Sequence, residues 1–154
     1  MTFTIRRVEP KDFERVLELH IEGLKQFGSN IGDPSMDQDI HHIQEVYIDD
    51  GGEFFVGEIE GRIVCMGAYK KRDIRTAEVK RIRVDQYDQR QGYGQRILST
   101  LENSARAKGY RRLLLDTTTR QEPAMKLFEK HGYTETSRKT LGEVTVVFYE
   151  KELC

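Results

Sequence analysis

The sequence contains no tryptophan, three prolines and two cysteines in 154 residues. Two cysteines, Cys65 and Cys154, are too few for the disulfide framework of a small secreted scaffold. Cys65 sits inside an apolar, strand-like run and reads as a small core residue, while Cys154 ends the chain. An excess of either charge is also missing: 25 Lys and Arg stand against 26 Asp and Glu, a formal net charge of −1. A general nucleic-acid binder carries a basic excess, so no nucleic-acid partner is expected. No apolar run reaches the length of a membrane span, and the opening MTFTIRRVEPKDF lacks the apolar core of a signal peptide. The expectation is a cytoplasmic protein with no membrane partner. Histidines, cysteines and acids do not recur at chelating spacing. His41 and His42 are adjacent on an expected helix and point in different directions, so no metal is expected.

What is present is a globular pattern without repeats, linkers or breaks in composition: 37% of residues are hydrophobic and 33% charged. One domain, 1–154, is the simplest organisation. Phe3 to Val8 reads as a strand and Pro10 to about Phe27 as a helix, with Phe13, Val16, Leu17, His20, Ile21 and Leu24 on its buried stripe. His20 on that stripe reads as a satisfied core histidine. Gly28 would stop this helix, and 28–36 reads as a loop. A shorter helix is expected over Asp37–Asp49. Strands follow at Glu53–Glu60 and Arg62–Lys71, joined by a tight turn at Gly61, and at Thr76–Val84. Beyond the glycines near position 92, a helix runs to about Lys108 with Ile97, Leu98, Leu101 and Ala105 on one face. Arg111–Thr118 carries three consecutive leucines and reads as a strand buried on both faces. Pro123–Lys130 is a last helix, and Tyr133–Thr140 and Val144–Lys151 are the closing strands. The fold class is mixed α/β, with a hairpin early and a parallel strand–helix–strand crossover in the middle.

The stretch DQYDQRQGYGQRIL, from Asp85 to Leu98, places Gly92 and Gly94 between a strand and a helix. The first amides of a helix have no internal acceptor and lie at the positive end of its dipole. Glycines let a ligand approach the backbone closely, so an anion is the natural occupant, and Arg90 can add a charge-assisted contact. A dinucleotide fingerprint would need a third glycine where Ile97 stands, and a Walker-type loop would need Gly-Lys-Ser/Thr. A plain turn with spare glycines is the remaining alternative.

In that context Gln89-x-x-Gly92-x-Gly94 resembles the acetyl-CoA signature of the GNAT superfamily of N-acetyltransferases, and EVKRIRV before it and AMKLFEKHGYTE after the next strand match the usual surroundings. The resemblance covers nearly the whole chain. It implies a GNAT-type acyl-CoA N-acyltransferase fold, with a mixed central sheet of about seven strands flanked by four helices. It further implies acetyl-CoA as acyl donor, with its pyrophosphate on the amides of Gln89, Arg90, Gln91, Gly92, Tyr93, Gly94 and Gln95. The backbone of Ile82, Arg83 and Val84 would pair with the pantetheine arm as an added strand does. The family fold opens a V between two parallel strands, here Glu78–Val84 and Leu113–Thr117. The sequence gives one hint of its own: Val79 and Ile82 are three apart, a step that a β-bulge near Lys80–Arg81 would repair, unless both faces of the strand are buried.

An alkylamine with a pKa near 10.4 attacks a thioester only when neutral, at a cost of about 4–5 kcal/mol at pH 7. A base is therefore useful. Glu78 is the candidate: it shares alternation parity with Ile82 and Val84 and matches a position where some family members carry a glutamate base. The alternative for it is a strand carboxylate paired to Lys80 or Arg81. Two positions depart from the family pattern. Gln121 stands where asparagine is common and is kept as a weaker cofactor contact. Phe128 stands where a tyrosine often protonates the leaving thiolate. Coenzyme A's thiol is acidic enough to leave without a dedicated acid. Tyr133 fills the slot of an aromatic packing residue, and His131 lies beside a helix end.

The expected reaction is direct transfer in a ternary complex, with a backbone amide near Arg83 or Val84 polarising the carbonyl. The expected partner is a small-molecule amine, with a homodimer allowed. Asp33, Asp37 and Asp39 could attract a cationic acceptor, although solvated acids are the plainer reading of each. Alternatives are acetylation of a peptide or protein N-terminus or lysine, and a non-catalytic acyl-CoA sensor.

Overall fold

A computed structural model describes residues 2–26 and 38–153 of the chain. Gly28, the loop over 28–36, Asp33, Asp37 and Cys154 lie outside the described residues. One seven-stranded sheet, in the order β1-β2-β3-β4-β5-β7-β6, carries helices on both faces. The strands are β1 (Phe3–Arg7), β2 (Glu53–Ile59), β3 (Arg62–Lys71), β4 (Thr76–Val84), β5 (Arg112–Thr118), β6 (Thr134–Leu141) and β7 (Val144–Glu152). All neighbours are antiparallel except β4 and β5. The helices are α1 (Phe13–Gln26), α2 (Gln38–His41), α3 (Tyr93–Ala107) and α4 (Glu122–Lys130).

One layer packs α3 and α4 on the sheet. Ile97, Leu98, Leu101 and Ala105 of α3 are fully buried, as their spacing requires, against Ala77, Val79, Leu113 and Leu115. The other layer packs α1 and the segment after it on β2 and β3, through Val16, Leu19, Ile40, Ile43, Tyr47, Phe54, Val56, Met66 and Ala68. His20 is buried within α1 at 1% exposure. Ile21, expected on the buried stripe, is 38% exposed, and Leu19 takes its place inside. The covered side of α1 centres on Val16, Leu19 and His20, and Ile21 falls just past its edge. Pro10–Asp12 is a separate 3₁₀ turn and α1 starts only at Phe13. The second expected helix is likewise divided, into α2 and a π-helical turn over Gln44–Ile48.

The β2–β3 hairpin turns through Glu60 and Gly61, both at positive φ (50° and 80°), which is the twist that suits a tight two-residue connection. Gly67 on β3 has a different reason: a Cβ there would lie 2.4 Å from Ile97 Cγ2. The missing side chain lets α3 seat closely on the middle of the sheet, and that seating fixes where the helix begins.

β4 is irregular where the sequence suggested. Met66 faces Arg83 and Ala68 faces Lys80, so β3 advances two residues while β4 advances three. The extra residue is a bulge, and Arg81 takes a left-handed φ of 61° within it. The bulge reverses which face successive side chains meet. Ala77 and Val79 pack against α3 before it, and Ile82 and Val84 do so after it. Glu78 therefore lies on the opposite face from Ile82 and Val84, not the same one. β5 also corrects an expectation. Leu113 and Leu115 are buried, but Leu114 between them is half-buried and Asp116 is exposed, so the strand alternates rather than burying both faces.

Candidate active site: a cleft through the sheet

β4 and β5 are paired only at Thr76–Arg112, Ala77–Leu113 and Glu78–Leu114. Beyond Glu78 the strands part, and each keeps its ladder only on its outer side, β4 with β3 and β5 with β7. Between them lies a cavity of about 180 Å³. It runs from Val79, Leu115, Ala124 and Phe128 on the α4 side to Lys80, Arg81 and Asp116 on the α1 side, with Ile82, Arg83 and Gln121 also on its wall. That volume suits the reactive end of an extended ligand rather than a whole nucleotide.

Thr117 Oγ1 and Thr118 Oγ1 are buried on the β5 wall of the cleft and make no hydrogen bond among the described residues. Buried hydroxyls are nearly always paired, so an orphan pair facing a cavity marks a place for a polar ligand. Neither hydroxyl belongs to the glycine motif, so sequence alone does not single them out. Their signal in the sequence is the TT that follows the leucines of β5.

At the outer end of the cleft stands the glycine loop. Arg90 and Gly92 take positive φ (65° and 84°) on either side of Gln91, a turn geometry that gathers backbone N–H groups into an anion-binding hollow. Gly92 is the N-cap of α3, and the first helical bond runs from Arg96 N–H to Gly92 O at 3.1 Å. The amides of Tyr93, Gly94 and Gln95 thus have no intrahelical acceptor. Gly92 has a local reason as well, since its left-handed backbone alone favours glycine. Gly94 has no such need: a Cβ there would meet Leu127 and Val84 at ordinary contact distances of 3.5 and 3.8 Å.

Buried acids hold the loop in shape. Asp85 is ion-paired to Arg15 of α1 and accepts the Tyr87 N–H at 2.9 Å. Burial pushes its carboxyl up, but the Tyr87 amide and Arg15 outweigh that and hold it below the usual carboxylate range. Asp88 accepts both ends of the Arg62 guanidinium, at 2.9 and 3.1 Å. The Gln89 side-chain amide donates to Val84 O at 3.2 Å, closing the loop onto the end of β4. The Tyr93 ring stacks on Phe3 at 4.4 Å, which leaves its backbone amide as the part directed to a ligand. Arg90 and Gln91 are exposed.

The remaining expected site residues fall as follows. Ile82 and Val84 pack toward α3, while Arg83 lies under α1, where a Cβ on Gly23 would be 2.5 Å from its Cδ. Gln121 is the N-cap of α4, half-buried in the cleft wall. Phe128 is buried at 5% exposure between the rings of Tyr133 and Tyr149 and contributes only carbon to the cleft. Tyr133 donates to Glu102 at 2.8 Å inside the α3 layer, which agrees with a packing role. Glu78 is half-buried at the point where the strands part. Its partner is neither Lys80 nor Arg81 but Arg72, whose NH1 donates to it at 3.0 Å. Asp39 is not a free acid: Arg81 forks onto it at 2.9 and 2.6 Å, and the Tyr47 hydroxyl donates to it as well. Cys65 is fully buried and its thiol is pushed up to about 12 by burial.

A parted parallel strand pair, ending at free helix amides and lined by orphan hydroxyls, fits a thin chain with an anionic end. The comparisons point the same way. Among solved structures, an acetyltransferase of the GNAT family from Staphylococcus aureus Mu50 superposes with a TM-score of 0.88 at 18% identity, covering 99% of this chain and 100% of that one. Salmonella typhimurium yncA, solved with its cofactor acetyl-CoA, superposes with a TM-score of 0.80 at 17% identity, covering 100% and 95%. At those identities the likeness speaks to the fold. Human N-acetyltransferase 8 is 31% identical over 112 residues, 69% of this chain and 49% of that protein. The N-acetyltransferase YsnE of Bacillus subtilis is 36% identical over 69 residues, 44% of this chain and 46% of that protein. The chain spans about half the length of the curated relatives it matches. No helix among the described residues is long and apolar enough to cross a membrane. The sequence profile described as the acetyltransferase (GNAT) family matches residues 14–133, and the chain belongs to that family.

Proposed function

We propose that this chain is an acetyl-CoA-dependent N-acetyltransferase that acetylates a primary amine of a small molecule by direct attack in a ternary complex. The observation that carries the reading is the cleft itself: parted strand edges leading from the α3 amides to a polar opening on the other side of the sheet. Acetyl-CoA would supply the acyl group as a thioester. The amides of the Gln89–Gln95 loop would hold its phosphates, with Arg90 adding charge from outside. The free edge of Ile82–Val84 would hydrogen-bond the pantetheine amides, with Gln121, Thr117 and Thr118 facing the same arm across the cleft. An amide near Arg83 or Val84 would polarise the carbonyl. Glu78 would receive a proton from the acceptor amine where the strands part. With Phe128 in the wall, the thiolate leaves without a hydroxyl acid from α4.

A cytoplasmic location and the absence of nucleic-acid and metal partners belong to the same proposal. So does a homodimer, for which the fully exposed edge strand β6 is the available surface. The test has two stages. Calorimetric titration should give acetyl-CoA and CoA binding in the micromolar range. A thiol-release assay against free amino acids, polyamines, arylalkylamines and N-terminal peptides should then find turnover with at least one small amine. No binding at millimolar acetyl-CoA sinks the proposal. Turnover only with peptides transfers it to a peptide acetyltransferase, and binding without turnover to a sensor.

A further inference from the structure

Asp116 was no part of the sequence argument, because β5 read as buried on both faces. It sits two residues past Leu114, the last β5 residue paired to β4, on the wall of the cleft. Its neighbours Leu115 and Thr117 are buried and Leu115 packs in the α3 layer, so Asp116 projects to the other side. Glu78 and Lys80 project to that side too, alternating with Ala77 and Val79. We propose that Asp116 is a second proton acceptor of the acetyl-transfer site, set across the parted strands from Glu78 so that the acceptor's ammonium group is received between the two carboxylates. This rests on the acyl-transfer reading above.

The surroundings separate Asp116 from a structural acid. Among the described residues, none donates a hydrogen bond or forms an ion pair with it. Glu78, by contrast, is held by Arg72, and the nearby Arg81 is committed to Asp39. Asp116 is open to solvent on its outer side, but the cleft wall beside its carboxyl pushes its pKa up, the charge of Glu78 pushes the same way, and Lys80 and Arg81 pull back. From β7, the residue opposite is Phe148, which carries no charge. Glu150, opposite Leu114, faces Arg112 at 3.7 Å. An unpartnered carboxylate on the cleft wall, with a second one braced by Arg72 at the last paired rung on the same face of the sheet, suits a cation that enters charged and must lose a proton.

The proton inventory closes. The ammonium passes one proton to Asp116, which releases it to water as the net proton of the reaction. The neutral nitrogen forms a bond to the thioester carbonyl carbon, and the carbon–sulfur bond breaks with its electron pair staying on sulfur. The nitrogen's second proton is taken by Glu78 as the amide forms and passes by way of water to the thiolate, giving free thiol.

The test uses the full chain and the variants Asp116→Asn, Glu78→Gln and both together. Carboxyl NMR of the unliganded protein should show Asp116 titrating above the ordinary carboxylate range, moving down in Glu78→Gln as the neighbouring negative charge is removed. With an amine that turns over, Asp116→Asn should lower kcat about a hundredfold or more, leave the calorimetric Kd for acetyl-CoA unchanged, and remove the acidic limb of the kcat/KM profile. Glu78→Gln should move that limb to lower pH, and the double variant should lose less than the product of the single losses. An Asp116→Asn enzyme within about threefold of wild type, with the same pH profile, overturns the proposal. So does an Asp116 that titrates normally and ignores Glu78→Gln. A wild-type chain that binds acetyl-CoA yet releases thiol with no amine marks failure of the acyl-transfer reading instead, and the NMR titration still decides the pair.

Discussion

Arg81 forks onto Asp39 with both ends of its guanidinium, at 2.9 and 2.6 Å, from a backbone held at a φ of 61°. The pair ties the bulge of β4 to α2, with side-chain exposures of 13% and 15%. Breaking it from one side leaves a charge buried alone, so Arg81→Ala should cost about 3–5 kcal/mol in denaturant unfolding. Arg81→Gly loses the same pair but relaxes the left-handed backbone, and it should be about 1 kcal/mol more stable than Arg81→Ala. Equal stabilities would mean that the bulge stores no strain.

The same pair sets an acid limit. Burial pushes the Asp39 carboxyl up, but Arg81, the Tyr47 hydroxyl and the field of Lys80 outweigh it and hold the group at about 2. A carboxyl with a depressed folded pKa stabilises the fold above its unfolded value of about 4, and that stability is lost as pH falls toward 2. From a shift of nearly two units, Asp39 should account for about 2 kcal/mol of the stability lost between pH 5 and pH 2. Unfolding curves over that range should be flatter in Asp39→Asn by this amount, and unchanged curvature would remove Asp39 from the account.

The two loop glycines should respond differently. Gly94→Ala places its methyl at ordinary contact distance, so melting temperature should hold or rise slightly. Gly92→Ala meets a φ of 84° and should cost about 1 kcal/mol although its Cβ has nothing within 4 Å. Gly94→Ile fills the space before the free amides and should raise the calorimetric Kd for acetyl-CoA more than tenfold. Unchanged affinity would take the ligand away from this loop.

Tyr133 donates to Glu102, which also takes Lys151 at 3.1 Å, so all three act as one buried structural set. Tyr133→Phe should cost about 1–2 kcal/mol in unfolding and leave kcat within about twofold. A large fall in kcat at unchanged stability would make Tyr133 part of the chemistry after all.

Cys65 should be inert. With no exposed surface and a thiol pushed up to about 12, it should react with a maleimide only when the chain unfolds. Labelling of Cys65, followed by mass spectrometry of its peptide, should slow by more than a hundredfold in the native protein. Rapid labelling under native conditions would contradict that burial.

Much of this molecule could be read before any coordinates. The ends of β3 and β4 match expectation residue for residue, because turn residues bound both strands and β3 carries a long apolar run. The α3 face was legible because Ile97, Leu98, Leu101 and Ala105 keep one period. The three-residue step from Val79 to Ile82 correctly announced the bulge, yet the parity of Glu78 was counted straight through it and so landed on the wrong face. The leucines of β5 hid Asp116, since a run of apolar letters cannot tell a strand covered twice from one whose far side opens on a cleft. Arg72 reaching Glu78, and Arg81 reaching Asp39, are tertiary choices among many nearby charges that spacing does not rank.

The extra residue in β4 makes length, rather than identity, the guarded property of that strand. Substituting one side chain there alters one contact. Deleting Arg81 would leave a straight ladder in which Ala77, Val79, Ile82 and Val84 still face α3, at the loss of the bulge and of its tie to Asp39, whereas adding or losing a residue elsewhere in the strand would turn half of it over. Chains that diverge from this one can exchange letters along the segment freely by comparison, but on either side of the bulge they should tolerate no change in its count.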